Sequence, residues 1–316
     1  MYRIGVDLGG TNIVVGVINE NNQIIAKASR RTNAPRAAEG IFDDIAAAIS
    51  DAMATASITK EDVISVGVGT PGSVNKEAEL IEFANNLGFD NVPAYRMLRE
   101  RTGFEKVYFD NDANCAALGE AVAGCGRGVK DFVMITLGTG VGSGIIANGK
   151  LVTGVNYAAG EMGHTVIEFG GVQCNCGRRG CWEQYSSATA VVRQTKDAMR
   201  LHPDSLMWDL VNNDFSAVTG RTAFDAARKG DAAAQAVVDK YEAYLACGIS
   251  NIVNIFQPDM LAVGGGIGNE KEYLLAPVRK ILYSERYSIH AKKQTQLVAA
   301  TLGNDAGVIG AALLDE

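Results

Sequence analysis

The sequence predicts an α/β protein made of two related lobes, and three observations carry that expectation. The chain opens with three short apolar strands. Each half sets a glycine turn directly after a leading strand: Val6-Asp7-Leu8-Gly9-Gly10-Thr11 in one, Ile135-Thr136-Leu137-Gly138-Thr139-Gly140 in the other. Elsewhere, helical periodicity alternates with isolated strands, as in domains of mixed layers. Two such lobes, each offering a glycine turn to one cleft, would clamp a phosphate.

The elements follow in order. Arg3–Asp7, Ile13–Ile18 and Gln23–Ser29 read as strands joined by Gly9-Gly10 and by the polar turn Asn19–Asn22. A meander at this point is unlike a Rossmann unit, where the glycines lead into a helix. Ile41, Ile45, Ile49 and Met53 recur every four residues and predict a helix from about Ala37 to Ala56. Thr59-Lys60-Glu61-Asp62 resembles a capping signal. Val63–Val68 is a buried strand ending in Gly69-Thr70-Pro71-Gly72, and 73–90 reads as a polar loop or hairpin. Ala94–Thr102 is a helix and Val107–Phe109 a strand, with Asp110, Asn111 and Asp112 at its end and a helix from Asn114 to Ala123 beyond. Asp131–Leu137 is a strand closed by the glycine loop 138–144. Ile145–Ala147 and Lys150–Thr153 form a hairpin across Asn148-Gly149. Helices are expected at 186–201, 221–229 and Ala232–Phe256. Met260–Val263 is a strand ending in Gly264-Gly265-Gly266, and Val278–Tyr283, Leu297–Thr301 and Ala306–Leu314 close the chain as helix, strand and helix.

Composition narrows the function. With 316 residues there is length for two domains, and 47% hydrophobic against 21% charged residues is a globular balance. A net charge of −7 argues against nucleic acid and against an anionic membrane as partners. Any phosphate must then be held locally, by backbone N–H groups and a metal ion. Met1-Tyr2-Arg3 runs straight into an apolar strand, so no leader is expected, and no apolar run is long enough for a membrane helix. Six cysteines without export imply a reducing, cytoplasmic setting. Cys115, Cys125 and Cys247 fall on helical or apolar stretches and read as small core residues.

The most specific local signal is Gly160-Glu161-Met162-Gly163-His164 followed by Cys174, Cys176, Cys181 and Glu183. Three cysteines and a histidine so close together can close a tetrahedral, structural zinc site. Gly177-Arg178-Arg179-Gly180 permits the tight turn. Three free thiols in a loop is the competing reading, but four ligands of the right type seldom coincide. A disulfide reading is weaker still in a reducing compartment. Four protein ligands leave no open position for water, so the metal would hold the loop bearing Glu161, His164 and Glu183. Tyr157, Phe169, Trp182 and Tyr185 read as local core around that loop.

Asp7–Asn12, Gly138–Gly144 and Gly264–Gly266 are each weak motifs alone. Together, each at a strand end where N–H groups can face phosphate, they predict nucleotide binding. Asp7 would not touch phosphate, since like charges repel; it would engage magnesium through water.

The set Asp7-x-Gly-Gly-Thr-Asn12, Gly69-Thr-Pro-Gly72, Asn111-Asp-Ala-Asn114, Leu137-Gly-Thr-Gly-Val-Gly-Ser-Gly144, Gly160-Glu-x-Gly-His164, Cys174-x-Cys-Gly-x-x-Gly-Cys-x-Glu183 and Gly264-Gly-Gly-Ile267 resembles the ROK family of sugar kinases from end to end. Cys181–Thr189 most resembles its bacterial ATP-dependent glucokinases. The resemblance implies the actin-like ATPase (ribonuclease H-like) fold, two lobes around a cleft. It implies a small lobe of 1–110 plus 303–316 and a large lobe of 111–302 carrying the zinc loop. Asp112 would be the general base toward the sugar 6-hydroxyl, with a helix N-cap as its bland alternative and Asn114 competing for that role. Asn86, Asn111, Asp112, Glu161, His164 and Glu183 would bind the sugar, glucose first, with Gly72 nearby. Carboxylates accept paired hydroxyl protons, and His164 can bind zinc with one ring nitrogen and sugar with the other. Asp7, Gly9, Gly10, Thr11, Asn12, Gly138, Thr139, Gly140, Gly265 and Gly266 would hold ATP and its magnesium. Family members are often homodimers.

Three alternatives stay open. An N-acetylhexosamine or fructose kinase would use the same carboxylates and histidine. A sugar-sensing repressor would need an N-terminal helix-turn-helix, for which a first strand at about residue 3 leaves no room, and an acidic chain suits DNA poorly. Polyphosphate as donor would want a basic stripe.

Overall fold

The computed structural model of the chain describes residues 1–315. They divide into two compact units. The first comprises Met1–Met134, Gly144–Gly160 and the segment from Thr301 onward; the second comprises Ile135–Ser143 and Glu161–Ala300.

The first unit opens with β1 (Tyr2–Leu8), β2 (Asn12–Ile18) and β3 (Ile24–Arg31), an antiparallel meander. Helix α1 (Ala38–Ala56) follows, then β4 (Val63–Thr70). A small antiparallel sheet comes next: β5 (Ser73–Asn75), β6 (Leu80–Ala84) and β7 (Phe89–Val92). Helix α2 (Ala94–Thr102), β8 (Val107–Asn111) and α3 (Asp112–Val122) complete this run. The main sheet has the order β3-β2-β1-β4-β8, with β4 and β8 parallel to β1.

Alternation along β1 explains both faces of that sheet. Ile4, Val6 and Leu8 point into the core shared with Ile41, Phe42, Ile45 and Ile49 of α1. The stripe of α1 drifts off the strict four-residue spacing, because 3.6 residues make a turn: Ala52 is buried where Met53 was expected. The other face of β1 carries Arg3, Gly5 and Asp7, and the C-terminal segment covers it. Arg3 donates to Asp315 at 2.8 Å. A Cβ on Gly5 would lie 1.9 Å from the Val308 carbonyl, and one on Gly67 of β4 would lie 1.7 Å from that of Ala311. Only glycine lets the last helix lie on these strands. Gly307 stands against the Asp7 carboxyl, 3.3 Å from a notional Cβ.

The loop or hairpin expected at 73–90 is instead the three-stranded sheet. Its strands are too short and too polar on their exposed side to show a period, and a bulge at Ser73/Val74 breaks the alternation. Val74, Ile81, Leu87 and Phe89 pin it to the core.

Beyond α3 come β9 (Phe132–Leu137), β10 (Val141–Ala147) and β11 (Lys150–Leu151). Asn148 and Gly149 take φ values of 51° and 76° at the hairpin turn, the left-handed pair that the sequence predicts. The helices α4 (Glu183–Ser186), α5 (Ala188–Leu201), α6 (Leu206–Leu210), α7 (Thr222–Ala227) and α8 (Ala232–Phe256) follow. Then come β12 (Met260–Gly264), α9 (Gly265–Gly268), α10 (Glu272–Glu285), β13 (Gln296–Ala299) and α11 (Ala306–Ala312). A second five-stranded sheet has the order β11-β10-β9-β12-β13. Helix α8 is the spine of the second unit, and α5, α7 and α10 pack on it. Its first turn is capped by Asp231, which accepts from Ala234 N at 2.7 Å. Helix α10 is longer than its sequence pattern, running through Pro277 at the loss of one backbone bond. Among the described residues no helix is long and apolar enough to cross a membrane.

Candidate active site

Parallel pairing builds the candidate residues of the first unit. Asp7 is in register with Gly69, and Gly69 with Asp110, so three neighbouring strands end in one row. Asn111 closes β8 and Asp112 opens α3, which brings the Asp7 and Asp112 carboxylates near each other. Burial pushes Asp7 up to about 6, and the negative charge of Asp112 adds to the rise. Asp112 reaches solvent, but protein crowds its other sides. That desolvation raises its pKa against the opposing hydrogen bonds from the Ala113 and Asp112 amides. Two crowded carboxylates with no ion-pair partner among the described residues form a place where a divalent ion is welcome.

The helix cap is neither Asp112 nor Asn114. The Asn111 side chain accepts from Ala113 N at 2.9 Å, and its amide donates to the Gly72 carbonyl at 3.1 Å. Asn114 is buried and donates to Asp110 at 2.8 Å. The Asp112 side chain also accepts from Ala113 N, at 2.8 Å, but one of its oxygens takes no part in that bond.

The first glycine turn joins β1 to β2. Gly9 N donates to the Asn12 carbonyl at 2.9 Å, leaving Thr11 and Asn12 exposed at its tip. Thr32, fully buried, donates its hydroxyl to the Gly9 carbonyl at 2.6 Å and its amide to that of Thr11 at 2.9 Å. Sequence reasoning passed over Thr32, because nothing local distinguishes it from any strand-end threonine. Asn86, in the turn between β6 and β7, lies beside Gly10: a Cβ there would be 3.6 Å from that of Asn86.

The remaining candidate residues lie in the second unit. The glycine loop is shorter than the sequence suggests, because β10 begins at Val141 with Val141, Ser143 and Ile145 buried. Gly138, Thr139 and Gly140 remain as the turn, closed by Gly138 N to the Gly140 carbonyl at 3.0 Å. Its carbonyls are tied to the start of α5 by Ala188 N and the Thr189 hydroxyl, each at 2.8 Å. Gly265 and Gly266 open α9 rather than ending a strand. Gly265 has φ 80°, and a Cβ there would meet Leu137 at 2.5 Å, so this turn packs directly on the strand that feeds the glycine loop.

Glu183 is the first residue of α4. One of its oxygens accepts from Val141 N at 3.1 Å, and a Cβ on Gly140 would strike it at 2.2 Å. Glu161 precedes a single 3-10 turn over Met162–His164. The His164 ring is oriented: Nε2 lies 4.0 Å from a Glu161 oxygen and Nδ1 lies 3.6 Å from the Cys174 sulfur. Cys176 and Cys181 sulfurs are 3.6 Å apart, and all four candidate ligand atoms lie within 4.8 Å of one another. Burial, then the adjoining Cys176 and Cys174 sulfurs, push the Cys181 thiol up to about 12. Three sulfurs and a ring nitrogen gathered this closely match the donor types and number of a tetrahedral zinc site, so the set fits zinc.

The loop is anchored to α8 by its aromatics. Trp182 is fully buried, its ring against Gly248 and its Nε1 donating to the Tyr244 carbonyl at 3.0 Å. Tyr185 packs on Tyr244 and accepts from Val172 N at 2.8 Å. Phe169 is not core: it is fully exposed, and Tyr157 is half-buried. Of the three cysteines read as core, only Cys115 is buried; Cys125 and Cys247 are partly exposed.

Strand-end carboxylates beside glycine turns, on a sheet of meander-plus-parallel topology, define a phosphate-handling α/β protein. A family model described as the ROK family matches residues 3–316. A glucokinase of Halalkalibacterium halodurans is 39% identical over 311 residues, spanning 98% of this chain and 93% of that one. A glucokinase of Thermotoga maritima is 38% identical, with 98% and 95% coverage. The crystal structure of a ROK family glucokinase from Streptomyces griseus in complex with glucose and AMPPNP superposes with a TM-score of 0.84 at 36% identity, covering 99% of both chains. The chain belongs to the ROK family, and its fold is that family's actin-like ATPase fold.

Proposed function

We propose that this chain is an ATP-dependent glucokinase, moving the γ-phosphoryl group of ATP to the 6-hydroxyl of glucose. The observation that carries the reading is the strand-end row: Asp112 at the β8–α3 junction, next to Asp7, with one oxygen outside the Ala113 bond and a raised pKa. Phosphoryl transfer asks the protein mainly for positioning and charge stabilisation, so one well-placed carboxylate suffices as base. A raised pKa makes that carboxylate a stronger proton acceptor once it is ionised. The Streptomyces griseus relative, solved with glucose and AMPPNP, supports both the sugar and the donor.

Each remaining residue then has a task. Glu161, His164 through Nε2, and the oxygen of Glu183 not bonded to Val141 accept or donate to sugar hydroxyls, with Asn86 and Asn111 assisting. The turns at Gly9–Asn12 and Gly138–Gly140 offer backbone N–H groups to the phosphates, and Gly265-Gly266 face the adenosine. Cys174, Cys176, Cys181 and Nδ1 of His164 hold a structural zinc, which leaves Nε2 for the sugar. Asp7 would hold magnesium, which when bound would offset charge on the phosphoryl oxygens.

The test is a coupled phosphorylation assay with magnesium-ATP across glucose, mannose, N-acetylglucosamine, N-acetylmannosamine and fructose. A dominant kcat/KM for glucose is expected. Preference for an N-acetylated sugar would overturn the substrate and keep the chemistry. No turnover on any of them, with ATP or polyphosphate, would sink the kinase reading.

A further inference from the structure

The β8–α3 junction holds a buried carboxylate for which the phosphoryl-transfer reading has no task. Asp110 is 2% exposed. One of its oxygens accepts from Asn111 N at 2.7 Å and from the Asn114 amide at 2.8 Å. The other accepts from the Lys76 ammonium at 2.5 Å. The carboxylate therefore clamps the end of β8 to the first turn of α3, and Asp112 sits inside the clamp.

Lys76 arrives from the turn after β5 in the small sheet. That turn is itself held, by Asn75 donating to Glu82 at 2.8 Å and accepting from Ala78 N at 2.9 Å. The loop leading into this sheet supplies the Gly72 carbonyl that receives the Asn111 amide, and its β6–β7 turn carries Asn86. The Cys115 thiol, behind the junction, shows how the charges are distributed. Burial raises it most, then Asp110, Asp112 and Asp7, and Lys76 is the cation opposing them.

We propose that Lys76 is a positioning residue for phosphoryl transfer: paired with Asp110, it fixes the strand–helix junction that presents Asp112, and ties that junction to the small sheet carrying Asn86. The inference rests on the kinase reading above. A carboxylate this buried, deprived of its cation, either keeps an uncompensated charge or takes up a proton. Both change the oxygen that grips Asn111 N and Asn114, and so shift Asp112. Transfer from a fixed donor tolerates such shifts badly.

Lys76→Met is compared with the double variant Lys76→Met/Asp110→Asn, in which an amide keeps the acceptor oxygen and needs no cation. Lys76→Met is expected to lose about 100-fold in kcat, while KM for magnesium-ATP stays within about twofold of wild type. The double variant is expected to return kcat to within about tenfold of wild type. An unimpaired Lys76→Met overturns the proposal. So does a loss that the double variant fails to recover, because the ammonium would then act on the substrates directly. If Lys76→Met does not fold, the double variant alone decides, by the same tenfold criterion. Wild-type protein in the same assay separates the two ideas: an inactive wild type defeats the kinase reading, whereas an active wild type beside an equally active Lys76→Met defeats this one.

Discussion

The strand-end row of the first unit and the cysteine loop of the second solve the same problem in opposite ways. Both must hold polar, ionisable side chains at fixed positions. The row takes its geometry from backbone register: Asp7, Gly69 and Asp110 are neighbours because β1, β4 and β8 pair in parallel. Its carboxylates cost the fold something, since burial raises both Asp7 and Asp112. The loop has little regular structure: one 3-10 turn at Met162–His164 and isolated bridges between Val166 and Cys181 and between Gln173 and Arg179. Its geometry comes from side chains, with Trp182 and Tyr185 against α8 on one side and the His164, Cys174, Cys176 and Cys181 cluster on the other. A scaffold built on register should survive loss of its functional groups. One built on ligands should not.

The largest expected effect tests the first half of that contrast. Asp112→Asn should cost kcat about 10²–10⁴-fold, the range for removing a general base. An asparagine oxygen can still accept from Ala113 N, so glucose KM should hardly move, and the thermal midpoint should hold or rise, because a desolvated charge is removed. A variant that unfolds easily, or one that turns over normally, would break the comparison at its first term.

Next comes the loop. Structural zinc contributes on the order of 10 kcal/mol to the folding of small sites. Cys176→Ser should therefore release the metal, raise glucose KM far more than KM for ATP, and open the segment 161–183 to protease. Zinc content by mass spectrometry and limited proteolysis read this directly. Retained metal together with normal glucose affinity would mean that the aromatics alone hold the loop.

The same contrast explains what was legible in the sequence. Helices α2 and α8 stand at the residues the sequence predicts, and α1 begins one residue later than expected, because helix-forming patterns are local signals. The cysteine cluster was legible for a similar reason: its ligands are close in sequence as well as in space. The small sheet was not, since β5 has three residues and its strands alternate with polar neighbours. Nor were the partners that the fold brings from afar. Gly5 and Gly67 read as ordinary strand residues until α11 lies across them. Lys76, within the segment read as a polar loop or hairpin, carries no local sign that its turn meets Asp110. The N-cap at Asn111 was missed by a smaller margin. Asn111, Asp112 and Asn114 are all good caps, and only the φ/ψ break at Asn111 distinguishes them.

The smallest expected effect concerns the cost of the row itself. Asp7 is raised to about 6 by burial and by Asp112, against 3.8 for an ordinary aspartate. A carboxyl with a folded-state pKa above its unfolded value favours the fold below the unfolded pKa. That contribution is lost as pH rises through the folded one. The wild type should thus give up on the order of 2–3 kcal/mol between about pH 4 and pH 6 on account of Asp7 alone. Asp7→Asn removes the ionisation. Without magnesium its thermal midpoint should exceed that of the wild type by a few degrees, about 2–5 °C, at pH 7.5 and converge with it near pH 4. Magnesium at pH 7.5 should narrow the gap by stabilising the wild type more than the variant, because the ion binds the charged carboxylate. A constant offset across pH would mean that Asp7 contributes by packing against Gly307 and not by its charge. The register row would then carry its carboxylate at no cost to the fold.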